Sequence, residues 1–100
     1  MSNSGRYHGE FKTPGGKLIQ VDLRVSDDRL VDVEVSGDFF LYPEEALDAI
    51  TIALEGSSRN FDRVARTAVI AEALPDGSEW LGSSPEALAI AVERALNSNG

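Results

Sequence analysis

The 100-residue chain contains no cysteine. Disulfides, thiolate metal sites, iron–sulfur ligation and cysteine nucleophiles are therefore excluded. Histidine occurs once, at His8, with only Glu10 as an acidic neighbour in sequence, so it reads as a surface residue rather than a catalytic or metal-binding one. Basic charge is scarce. Nine Lys and Arg face 17 Asp and Glu, a net charge of −8, and the only lysines are Lys12 and Lys17. No basic cluster forms, because Arg59, Arg63 and Arg66 are spaced apart with Asp62 among them, so neither nucleic acid nor an anionic membrane surface is an expected partner. Low lysine with high Asp and Glu is known from salt-adapted proteins, but a solubilising acidic surface is the simpler account. No run approaches the ~18 apolar residues that span a bilayer, and Met1–Gly5 has no apolar leader core. The expectation is a cytoplasmic protein that binds no metal.

What is present is an ordinary globular mixture, 42% hydrophobic and 26% charged, in a length suited to one domain. That domain is expected over residues 7–96, between small polar ends at 1–6 and 97–100 that read as flexible. Tyr7–Lys12 is a short first strand, and Thr13-Pro14-Gly15-Gly16 is a turn. Ile19, Val21, Leu23 and Val25 then alternate with polar residues, as do Val31, Val33 and Val35, giving two half-buried strands. Both apolar sets are odd-numbered, and directly opposed residues share a face. A two-residue loop at Asp27-Asp28 sets Val25 against Leu30 and breaks that match. A three-residue loop restores it, with Asp28 in the left-handed region.

After Phe40 the period lengthens. Pro43 suits a first helical turn with Glu44 and Glu45 at its positive end; Leu47, Ile50 and Leu54 form the stripe, and Gly56 ends it. A second helix is expected to turn Phe61, Val64, Ala68 and Val69 inward. Glu79-Trp80-Leu81 reads as strand or loop, with Trp80 a core plug. The third helix begins either with Ser83 and Glu86 as a capping box or with Ser84 as cap and Pro85 at the first position; Leu88, Val92, Ala95 and Leu96 form its stripe. Strands followed by helices predict an α+β domain: an antiparallel sheet of about three strands with three helices on one face.

No catalytic constellation can be assembled. Pro14-Gly15-Gly16-Lys17 opens a strand rather than a helix, unlike a phosphate loop. The neighbouring carboxylates Asp27/Asp28 and Glu44/Glu45 are explained by a turn and a helix dipole, and sequence neighbours do not make a facing acid–base pair. Ser36-Gly37-Asp38-Phe39-Phe40 is the most informative segment. Adjacent strand residues point to opposite faces. Extending the parity of Val31, Val33 and Val35 puts Phe39 on the core side and Phe40 on the other, unless a bulge at Gly37 exchanges them.

Pro14-Gly15-Gly16-Lys17-Leu18, the alternating hairpin, Ser36-Gly37-Asp38-Phe39-Phe40 and Pro43-Glu44-Glu45-Ala46-Leu47, in that order, resemble the C-terminal accessory domain of lipoate–protein ligases over most of Gly9 to Leu96. Asp28 departs from that pattern, which has glycine in the hairpin. The resemblance implies a domain that is separately encoded in some organisms, notably archaea, and carries no catalytic residue. Its partner would be a catalytic ligase chain, in a heterodimer. That chain would use ATP to convert lipoate to lipoyl-adenylate and then transfer lipoyl to an acceptor lysine. On this reading the present chain binds no cofactor, and lipoate and ATP belong to the partner. The expected partner-facing residues are Gly15, Gly16, Lys17, Gly37, Asp38 and Phe40. The implied fold is also similar to that of iron–sulfur scaffold and sulfur-acceptor proteins, whose chemistry requires cysteines missing here. The alternative function is a small-ligand-binding or adaptor domain on that fold.

Overall fold

The computed structural model describes residues 6–97, so the ends expected to be flexible fall outside it except for Arg6 and Asn97. The order is β1 (Tyr7–Lys12), β2 (Leu18–Ser26), β3 (Arg29–Gly37), β4 (Phe40–Tyr42), α1 (Glu45–Leu54), α2 (Arg63–Ala73), β5 (Glu79–Leu81) and α3 (Pro85–Asn97). The α+β expectation holds. β1, β2 and β3 form an antiparallel sheet in sequence order, and β4 pairs with β5 in a second, two-stranded sheet. α3 packs on β1 and β2, and α1 on β3, while α2 rests on the two other helices.

The hairpin between β2 and β3 differs from the three-residue expectation. Ser26 pairs with Arg29, leaving Asp27 and Asp28 as a two-residue loop, both with positive φ (53° and 62°), as the hairpin-favouring type I′ turn demands. The parity conflict this creates is resolved further along. Asp32 adopts φ 51°, and Asp32 and Val33 together lie opposite Leu23, a bulge that exchanges the faces of β3. Leu30, not Val31, is therefore buried before the bulge, and Val33 and Val35 after it. The Glu55 carboxylate accepts the Val33 N–H at 3.1 Å, satisfying a donor turned away from β2.

α3 fits the sheet closely because it is built from small residues. Ala87, Ala89, Ala91 and Ala95 are buried alongside Leu88 and Val92. Gly9 of β1 lies so near the backbone of Ala91 and Ala95 that a Cβ there would overlap it. Ser84 caps this helix, its Oγ accepting from Ala87 N at 3.1 Å, with Pro85 at the first position; the Ser83 alternative is not used. α1 begins at Glu45, after a cis Tyr42–Pro43 peptide, so Pro43 precedes the helix instead of lying in its first turn.

The inward face expected for α2 is corrected. Val64 is 79% exposed, Ala68 and Phe61 are exposed and Val69 is half-buried; Arg66 and Ile70 are the buried residues. Arg66, only 2% exposed, donates through Nη2 to the carbonyls of Ser58 and Arg59 at 3.1 and 3.3 Å. Burial pushes its pKa down, opposed by the nearby charges of Glu93 and Asp62. The guanidinium supplies donors to two carbonyls of a loop that meets β3 only through an isolated bridge at Ser58, a role that an apolar residue cannot fill.

Candidate partner interface

Four short segments converge at one end of the molecule. The β1–β2 turn closes with Gly16 N donating to Thr13 O at 2.8 Å. Lys17 N donates to Gly82 O, just past β5, at 2.8 Å, and the Lys17 stem runs over Gly82. Asp38 N donates to Leu18 O at 3.0 Å as the chain leaves β3. Gly37 packs so closely on Leu18 O, at φ 149°, that a side chain has no room there. The expected site residues Gly15, Gly16, Lys17, Gly37, Asp38 and Phe40 are thus brought together around β4 and β5, although they come from separate turns.

The ribbon of β4 and β5 has two unlike faces. Leu41 opposes Trp80 on the inner face, and Phe39, just before β4, stacks on Trp80 with ring centroids 5.7 Å apart and tilted by 32°. Phe39, Leu41 and Trp80 are half-buried against the core. Phe40, directly opposite Leu81, and Tyr42 share the outer face; they are 64%, 54% and 58% exposed respectively. The expected split of Phe39 inward and Phe40 outward therefore holds, and Gly37 does not exchange them. Tyr42 and Leu81 were missed as site residues. Period-two alternation carried through Phe40-Leu41-Tyr42, and across to Glu79-Trp80-Leu81, is the signal that points to them.

Elsewhere, the outer face of the three-stranded sheet carries a polar cluster. His8 bridges two carboxylates, with Nδ1 2.9 Å from Asp22 and Nε2 2.8 Å from Glu10. These contacts, Glu10 first and then Asp22, raise the imidazole pKa above its ordinary value. Sequence proximity identified Glu10 alone; strand pairing brings in Asp22. No group of three or more potential ligands arranged to hold a metal occurs among the described residues.

What this end presents is a small α+β domain with an apolar ribbon face ringed by turns, a shape suited to docking against another surface. No protein-family profile matches the chain. Over 52 residues it is 38% identical to the "Lipoate-protein ligase A subunit 2" of Thermoplasma acidophilum, 52% of this chain and 54% of that protein. The chain thus matches about half the length of that relative. The structural likeness is more extensive: a solved chain superimposes with a TM-score of 0.67 and 27% identity, covering 92% of this chain and 97% of the other. That structure is described as an archaeal lipoylation system, a bi-partite lipoate protein ligase and its E2 lipoyl domain from Thermoplasma acidophilum. Sequence and structure comparisons agree with the resemblance to a separately encoded ligase accessory domain.

Proposed function

We propose that this chain is the non-catalytic accessory subunit of a two-chain lipoate–protein ligase in the cytoplasm. It docks on a catalytic chain through the outer face of β4 and β5 and the adjoining Gly15-Gly16-Lys17 turn. There it supports activation of lipoate, in which a lipoate carboxylate oxygen bonds to the α-phosphorus of ATP and pyrophosphate leaves. Lipoate and ATP are held by the partner. The observation that carries the reading is the paired, exposed Phe40 and Leu81 with Tyr42 beside them, in a chain whose fold follows a bipartite-ligase chain along nearly its whole length. Leaving such side chains in water forgoes roughly 1.5–3 kcal/mol each, a gain that docking recovers.

The test is pyrophosphate release from lipoate and ATP, measured with this chain, with the catalytic chain, and with both. The mixture is expected to exceed the catalytic chain alone, with no release from this chain alone. Release by this chain by itself, or a mixture no faster than the catalytic chain, rejects the proposal.

A further inference from the structure

Among the described strands β3 pairs with β2 alone, and on its other side it meets only an isolated bridge between Arg29 and Ser58. Its outward backbone groups are accounted for over the first part of its length. Leu30 N donates to Ser57 O at 2.9 Å, Leu30 O accepts from Gly56 N at 2.7 Å, and Val33 N is held by Glu55. In an antiparallel strand the outward residues alternate, so beyond Val33 the next is Val35. From Val33 to Gly37 the edge has no neighbouring strand among the described residues. It borders instead a groove of about 400 Å3 between β3 and α1, lined by Glu34, Val35 and Ser36 on one side and Leu47, Asp48 and Thr51 on the other.

We propose that this free edge receives an extended basic segment of the catalytic chain as an added strand, pairing with Val35 and ending at the Phe40 face. The inference rests on the subunit reading above. Three observations select the occupant. The groove walls carry Asp22, Glu34 and Asp48 and no Lys or Arg. Glu34 is paired with Arg6 at 3.3 Å and Asp22 with His8, but Asp48 has no ion pair among the described residues. With a net charge of −8, a second copy of this chain is repelled, whereas a strand bearing Lys or Arg is attracted. Finally, β3 leads through Gly37 and Asp38 directly into β4, so a segment lying along the edge is continuous with the apolar ribbon. The Asp32 bulge and the charged Glu34 keep like edges apart, the usual protection of an exposed edge, while leaving it open to a strand of opposite charge.

The test uses the heterodimer of the intact chains. Residue-resolved amide exchange is measured with and without the catalytic chain, and affinity is measured for the double variant Glu34→Lys/Asp48→Lys at low and high salt. The Val35 amide is expected to slow by ~10-fold or more in the complex. The variant should bind ~10-fold more weakly at low salt, with the deficit shrinking as salt rises. A complex that forms with Val35 exchanging as in the free chain, or with the charge-reversed variant binding as well as wild type, overturns the added strand and leaves the subunit reading standing. Failure of the two chains to associate overturns both.

Discussion

The two sheets of this domain use similar residues to opposite ends. In the larger one, β2 and β3 run nine residues each, and one face is closed over by helices until Ile19, Val21, Leu23 and Leu30 are wholly buried. In the smaller one, β4 and β5 run three residues each. Their inner face reaches the core through Leu41 and Trp80, and the outer face is left with Phe40, Tyr42 and Leu81 in solvent. The difference lies in cover. The alanine-rich side of α3 lets a helix descend onto β1 and β2, whereas no helix of the described residues covers the outer face of the ribbon. One sheet is therefore stability and the other is surface.

That contrast is most severely tested at Gly9. A valine there is forced into the Ala91 and Ala95 backbone, so Gly9→Val should cost about 3 kcal/mol of stability, through overpacking that α3 cannot absorb without lifting from the sheet. Thermal unfolding measures it. A melting temperature close to wild type would mean that the helix–sheet contact is looser than described.

The neighbouring phenylalanines sharpen the comparison from the ribbon side. Phe39→Ala removes a half-buried ring stacked on Trp80 and should cost about 2 kcal/mol, below the usual range for a fully enclosed phenylalanine. Phe40→Ala should leave stability within about 0.5 kcal/mol. It should weaken binding to the proposed catalytic partner roughly thirtyfold, the equivalent of a hot-spot loss of about 2 kcal/mol. Unfolding and affinity are measured on both variants. If Phe40→Ala unfolds the domain, or binds within about twofold of wild type, the ribbon face is not the anchor.

The smallest effect belongs to the outer face of the large sheet. His8 is held between Glu10 and Asp22, and its folded-state pKa is raised above 6.5. The unfolded chain gives up this proton at lower pH than the folded one, so the protonated form favours folding. The contribution is complete below the ordinary imidazole pKa and disappears as pH rises through the raised value. His8→Gln should therefore lower the melting temperature in mildly acidic buffer and leave it unchanged in alkaline buffer. Both partners are well exposed, so the shift is small. An equal deficit at both ends of the pH range would assign it to lost packing instead of charge.

The alternation of β2 and the stripes of α1 and α3 were legible because each depends on periodicity, whereas the start of α3 was narrowed only to Ser83 or Ser84, of which the structure uses Ser84. The expected inward face of α2 failed for a different reason. Arginine is ordinarily counted as surface, and nothing local marks Arg66 as the donor for two loop carbonyls 7 and 8 residues earlier. The hairpin was half legible. Asp28 was rightly expected in the left-handed region, but the bulge at Asp32 is needed because the two-residue loop sets the wrong parity for Val33 and Val35 to reach the core that the helices close.

Taken alone, the sequence determined the class of fold, the absence of cysteine chemistry, the resemblance to a ligase accessory domain and the opposed directions of Phe39 and Phe40. These follow from composition, from motif order and from the two-residue period of a strand. Only the tertiary structure decided that the two glycine-containing turns and the Phe40 ribbon meet at one end, that Tyr42 and Leu81 extend that surface, that Asp22 joins His8, and that no strand among the described residues pairs with the edge of β3 beside α1. Each depends on pairing or packing between segments far apart in the chain, where register and helix placement, not local preference, set which groups come within reach.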